Sequence, residues 1–156
     1  MAADRQMAPD AWFERGGETV TLATYRGRPL VLYFYTKADT PGCTTEAKDF
    51  SALLPEFEAL GVAVLGMSRD DAASHGKFAG KHALTVPLAS DTTGALSEAL
   101  GVWGERRMYG RTYMGLERAT FLIDADGRIV RGWRKVKVPG HAQAVLDAAR
   151  DLLADG

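Results

Sequence analysis

The sequence predicts an α/β domain, a central mixed β-sheet flanked by helices, and three observations carry that prediction. Leu30-Val31-Leu32-Tyr33-Phe34-Tyr35 is an unbroken apolar and aromatic run, the mark of a strand buried on both faces. Cys43, Ala47, Phe50, Leu54 and Phe57 then recur at spacings of four, three, four and three, the apolar stripe of an amphipathic helix. Val62 to Met67 is a second apolar run, so two buried strands and the helix between them make a βαβ unit, which crosses over right-handed.

The remaining elements follow in order. Residues 1–18 lack periodicity and read as a tail, flexible over 1–8, that leads into a turn at Gly16-Gly17. Thr19-Val20-Thr21-Leu22 alternates as a short strand does, and Arg26-Gly27-Arg28-Pro29 is a turn before the first buried strand. The helix from Thr40 reaches about Leu60, with Gly61 as its C-cap. Pro55 lies inside it and removes one backbone hydrogen bond, which predicts a bend near Ser51.

Asp70 is the expected cap of a helix over Asp71–His82, whose last turn holds Lys81 and His82 at the negative end of the dipole. Val86–Ala89 is a minor strand, and Thr93–Leu100 a short helix ended by Gly101. Trp103–Leu116 has no clear period; its Arg106, Arg107 and Arg111 among Gly104, Gly110 and Gly115 mark either a solvated loop or a segment beside the active site. Ala119–Asp124 is a strand, Asp126-Gly127 a hairpin signal, and Arg128 to about Val136 the return strand. Ala142, Val145, Ala149 and Leu152 mark a final helix. The whole, 1–156, is expected to be one domain.

Composition narrows the function. Hydrophobic content of 46% with 25% charged residues is that of an ordinary globular chain. A net charge of −1 supplies no field to hold nucleic acid or an anionic membrane, so neither is an expected partner. No apolar stretch approaches the roughly 18 residues that span a bilayer. Asp4, Arg5 and Asp10 near the start, without an apolar core, do not make a secretory signal. The single cysteine rules out an internal disulfide framework and fits a reducing compartment, so a cytoplasmic location is expected.

That cysteine sits in a telling place. Thr40 is a good N-cap, and Pro41 is favoured at the first helical position because the N–H it lacks had no helical partner. Cys43 therefore falls in the first turn of a helix that follows a buried strand. Free N–H groups and the positive dipole end stabilise a thiolate there, and cysteines so placed have pKa values of roughly 3.5–7.5. A lone Cys is more often a small buried hydrophobe; this context favours a nucleophile.

Other chemistries lack their residues. His75 and His82 share a helix seven residues apart, about 10.5 Å at 1.5 Å per residue, too far for one metal. They and His141 read as surface histidines. Position 46 is Glu, so there is no Cys-x-x-Cys pair, and no glycine-rich phosphate loop is present. No metal or cofactor is expected.

Thr40-Pro41-Gly42-Cys43-Thr44-Thr45-Glu46 resembles the active-site loop of a peroxiredoxin, whose pattern is Pro, three residues, Thr, two residues, Cys. Gly66-Met67-Ser68-Arg69-Asp70, Gly101-Val102-Trp103-Gly104-Glu105 and Arg118-Ala119-Thr120-Phe121-Leu122-Ile123-Asp124 extend the likeness over nearly the whole chain, to the bacterioferritin comigratory protein (PrxQ) branch. The resemblance implies a thioredoxin-like fold and a thiol-dependent peroxidase acting on hydrogen peroxide and organic hydroperoxides. It implies Cys43 as the nucleophile that becomes sulfenic acid, the Thr40 hydroxyl as a ligand of the peroxide oxygens, and Arg118 as the active-site arginine. Pro41 and Gly42 shape the loop, and Glu46, three residues after Cys43 on the same helix face, orients Arg118.

There are two departures from the family pattern. Thr36 stands where the family has the proline that shields the sulfur. Lys48 and Ala79 stand where many relatives carry a resolving cysteine. A one-cysteine cycle is therefore expected, with thioredoxin or glutaredoxin and glutathione as external thiol donor, in a monomer or weak homodimer. The alternative weighed against it is a peroxide-sensing module that relays oxidation of Cys43 to a partner. A redox-inactive relative is a third reading, against which Thr40, Cys43 and Arg118 together count.

Overall fold

The computed structural model describes residues 6–37 and 40–155. Its centre is the strand β3 (Leu30–Phe34), buried on both faces as the apolar run requires. Side chains alternate across a strand. Val31, Tyr33 and, one residue past the strand, Tyr35 enter the core layer that also holds Phe50, Phe57, Phe78 and Val145. Leu30, Leu32 and Phe34 enter the opposite layer with Leu65, Met67, Leu96 and Phe121.

β3 continues through α1 (Pro41–Ala59) to β4 (Ala63–Ser68), and the two strands pair in parallel from Leu30↔Ala63 to Phe34↔Met67. α2 (Ala72–His82) leads to β5 (Leu88–Ser90), parallel to β4. On the other side of β3 lies β8 (Ala119–Ile123), antiparallel, followed by β9 (Ile129–Trp133). The sheet is closed by β1 (Phe13–Arg15) and β2 (Glu18–Val20), in the order β2-β1-β5-β4-β3-β8-β9. α4 (His141–Asp155) packs on α1. This is the mixed sheet flanked by helices that the sequence predicts.

Several details differ from the sequence reading. Trp103–Leu116 is not a loop but a separate hairpin, β6 (Trp103–Met108) and β7 (Arg111–Leu116). Tyr109 and Gly110 turn it with φ of 53° and 75°, the left-handed pair a two-residue hairpin demands. Within 1–18, Phe13–Arg15 is a strand, and Gly16-Gly17 (φ 57° and 84°) turns it into β2. Met7 pairs with Arg128, and Ile129 N–H donates to the Gln6 carbonyl; 1–5 of the expected tail lie outside the described residues. Asp71, not Asp70, caps α2: its side chain accepts from Ser74 N–H at 2.8 Å. α3 is only Ala95–Ala99, and buried Asp91 accepts from the N–H groups of Leu96 and Ser97.

The missing Pro55 N–H has a visible consequence. The Ser51 carbonyl it frees accepts the Thr85 hydroxyl at 3.3 Å, while Ser51 Oγ accepts from Thr85 and Val86 N–H at 3.1 Å each. The orphaned acceptor thus ties α1 to the segment before β5.

Candidate active site

β3 runs into the loop that leads to α1, and Cys43 lies in the first turn of that helix, fully buried. Pro41 is the first helical residue, as its preset φ favours. Thr40 occupies the N-cap position in an extended conformation, but its hydroxyl makes no capping bond and donates instead to the Lys37 carbonyl at 2.8 Å. The hydroxyl is therefore not committed to the helix.

Arg118, just before β8, reaches across to α1. Its Nη2 donates to Cys43 Sγ at 3.3 Å and its Nη1 to Glu46 Oε1 at 2.7 Å. Gly42 makes this approach feasible: a Cβ at that position would stand 3.0 Å from Arg118 Nη2. Thr36 Oγ1 also lies 3.3 Å from Sγ. The substitution of a threonine for the family proline thus gives the sulfur a hydroxyl partner.

These contacts decide the charge of the sulfur. Burial pushes the Cys43 thiol up, but a Lys37 amide hydrogen bond, the Thr36 hydroxyl and the Arg118 charge bring it below its ordinary value. The sequence points to the helix start and Arg118 as the sources of anion stabilisation; in the structure the Lys37 amide and the Thr36 hydroxyl contribute with Arg118. Burial opposes the Arg118 charge as well, yet Glu46 and Cys43 outweigh it and raise the guanidinium pKa. Burial dominates at Glu46, pushing its carboxyl up to about 7 against the pull of Arg118. Its Oε2 is buried with no partner among the described residues, which is the geometric face of the same cost.

Two histidines read as surface residues are buried. His141 Nε2 shares a hydrogen bond with Thr120 Oγ1 at 2.8 Å, and its ring meets Phe50 and Trp133 edge-on. Burial, with the Arg118 charge adding to it, lowers its pKa to about 4, so it is neutral behind the site. His75 is held between Ser68 and Ser90 at 2.9 and 3.2 Å. His141 stands four residues before Val145 on the α4 stripe, and His75 three before Phe78 on α2; that spacing was the signal for burial. His82 is half-buried against Phe78. Tyr33, whose ring stacks on Phe50 at 4.5 Å, is a further neighbour of the charges on Cys43, Glu46 and Arg118. Lys48 is exposed and Ala79 half-buried, on different helices. Among the described residues no group of three or more His, Cys, Asp or Glu could hold a metal ion.

Cys43 thus meets a guanidinium in the first helical turn after a central strand, and the sequence comparison says which family the chain falls in. The profile of the AhpC/TSA family matches residues 5–131. This chain belongs to the AhpC/TSA peroxiredoxins. Peroxiredoxin Bcp of Xanthomonas campestris pv. campestris is 51% identical over 135 residues, covering 86% of this chain and 84% of the relative. Peroxiredoxin Bcp of Bacillus subtilis is 46% identical over 148 residues, 94% of each. The solved Xanthomonas campestris bacterioferritin comigratory protein, studied for alkyl peroxide reduction, superposes with a TM-score of 0.87 at 47% identity, over 97% of this chain and 93% of that one. The subfamily is therefore Bcp/PrxQ, the fold thioredoxin-like, and the chain a thiol-dependent peroxidase with one cysteine. No helix among the described residues is long and apolar enough to cross a membrane.

Proposed function

We propose that Cys43 is the peroxidatic nucleophile and that Arg118, Thr36, Thr40 and Glu46 each hold part of the reacting geometry. The observation that carries this reading is the double hold on Sγ, 3.3 Å from both Arg118 Nη2 and Thr36 Oγ1, in a buried setting. The thiolate attacks the distal oxygen of a hydroperoxide. The S–O bond forms as the O–O bond breaks, sulfur is oxidised by two electrons to sulfenic acid, and the leaving alkoxide or hydroxide takes a proton from water. Arg118 keeps its charge throughout and faces both sulfur and the incoming oxygens. Thr40 has one O–H to give and turns it from Lys37 to the peroxide. Glu46 fixes the guanidinium plane, and Pro41 and Gly42 set the loop against it.

The sequence holds no second cysteine, so an external thiol condenses with the sulfenic acid and a second thiol releases the mixed disulfide. Thioredoxin, or glutaredoxin with glutathione, in the cytoplasm is the donor system we favour, serving a single-domain monomer or weak homodimer. Intact-mass analysis after one equivalent of peroxide tests the cycle. A gain of one oxygen, convertible to a thiol adduct and absent in Cys43→Ser, is expected. An unmodified mass during rapid turnover, or turnover by Cys43→Ser, overturns the assignment.

A further inference from the structure

Thr36 and Arg118 do not only touch the sulfur; they also form the inner wall of a surface depression of about 520 Å³, within the size range of small-molecule sites. Its outer wall comes from two segments remote in sequence: Glu105, Arg106 and Arg107 on β6, and Lys135 with Val136 after β9. Arg106, Arg107, Arg118 and Lys135 line it with one carboxylate residue, Glu105, in a chain whose net charge is −1; strand alternation puts Glu105 and Arg107 on one face of β6 and Arg106 on the other. This is a local concentration of positive charge, not a reflection of a basic protein.

Apart from Glu105 in the lining itself, the carboxylates nearby are engaged. Glu46 is held by Arg118 at 2.7 Å. Glu117 accepts from Arg134 Nε at 2.7 Å and from Lys135 N–H at 3.0 Å, and lies 3.9 Å from Arg106. Those bonds hold Lys135 in a left-handed turn, φ 48°, and place it on the depression. Among the described residues, neither Arg107 nor the Lys135 ammonium forms an ion pair. Val136 is the one aliphatic residue in the lining, and Arg107 and Lys135 give an anionic group two cations to meet there.

We propose that this depression is a carboxylate subsite, which draws to Cys43 small molecules carrying a carboxylate a few bonds from the reacting atom. The inference rests on Cys43 being the nucleophile. The same chemistry has two sources: an anionic hydroperoxide in the oxidation step, or an anionic low-molecular-weight thiol in the resolving step. In the first, the substrate's distal OH passes to sulfur, and the carboxylate-bearing alkoxide leaves and takes a proton from water. In the second, the thiol sulfur displaces water from the sulfenic acid to form the mixed disulfide.

Two rapid-mixing experiments on the full chain separate these sources. One compares Cys43 oxidation by a carboxylate-bearing hydroperoxide and by its methyl ester. The other compares reduction of the sulfenic acid by mercaptoacetate and by its amide. The expected result is a preference of about tenfold for the acid in at least one arm, weakened by salt and reduced to about twofold or less in Arg107→Gln/Lys135→Gln. Arg107→Glu alone should move the ratio in the same direction. Equal rates for acid and neutral form in both arms, or a preference that survives in both variants, overturn the subsite. If no hydroperoxide oxidises Cys43 at all, the nucleophile assignment falls and takes the subsite with it; equal oxidation by both forms with no thiol preference removes only the subsite.

Discussion

The Lys37 backbone amide lowers the Cys43 pKa first, and two of its side-chain partners can be removed one at a time. Arg118 supplies charge and Thr36 a hydroxyl, each 3.3 Å from the sulfur, against a burial that disfavours the thiolate. Arg118→Met keeps most of the side-chain bulk and removes the charge. It should raise the Cys43 pKa and slow peroxide attack by about 10²-fold or more, the scale of losing a preorganised donor at a reacting centre. It also strands Glu46 as an unpaired buried carboxyl, so some loss of stability accompanies it. Thr36→Val has the same shape and no hydroxyl; it should raise the pKa and slow attack by about ten- to a hundredfold, as loss of one charge-assisted hydrogen bond does. Ultraviolet thiolate titration and stopped-flow oxidation check both. A Thr36→Val enzyme with unaltered titration and rate removes the hydroxyl from the site. The first-turn place of Cys43 and the shared helix face of Glu46 were legible as spacing, Arg118 only through the family resemblance, and the structure brings the three side chains together. The partner role of Thr36 was not legible, because it depends on a loop conformation that no spacing encodes.

At the level of elements, legibility followed burial. β3 and β4 are covered on both faces, so their sequences are continuous apolar runs, and the α1 stripe of Cys43, Ala47, Phe50, Leu54 and Phe57 is buried as its spacing requires. β7 is exposed at its first four positions, so no inside–outside alternation was ever written into it. The Tyr109-Gly110 turn was its only sign. Lys135 and Arg107 reach the same depression from segments that no local pattern links. Pro55 gives a test at this scale. It is exposed on α1, and the acceptor it orphans is partly satisfied by Thr85 Oγ1 at 3.3 Å. Pro55→Ala restores the N–H donor within the helix. Proline in a helix interior costs about 3 kcal/mol relative to alanine, and its rigidity in the unfolded chain returns up to about 1 kcal/mol. A net gain of about 1–2 kcal/mol should raise Tm by about 2–8 °C in thermal unfolding. An unchanged or lower Tm means that the Thr85 bond already offsets the loss.

Across the whole molecule, one core layer carries an acid-sensitive pair. His75 lies beside Tyr35 and His141 beside Phe50, and both rings border the layer that holds α1, α4 and one face of β3. Burial lowers both pKa values, that of His141 to about 4. The sign follows from proton counting. Between roughly 6.5 and 4 the unfolded chain binds a proton at position 141 that the folded chain refuses, so stability contributed by the neutral ring is lost as pH falls through that window. His75 acts in the same direction. Glu46, raised to about 7, acts in the opposite one: the folded chain keeps a proton that the unfolded chain releases, so its contribution fades as pH rises from about 4.5 to 7. The balance can be dissected with His141→Gln, whose amide can still reach Thr120 but takes no proton. At pH 7.5 the variant should be the less stable, because it loses the edge contacts to Phe50 and Trp133. Urea midpoints at pH 7.5, 6 and 5 should then show the gap closing, because His75 and Glu46 act in both proteins and only wild type carries the His141 contribution. A gap that stays constant over this range means that His141 does not couple protonation to folding.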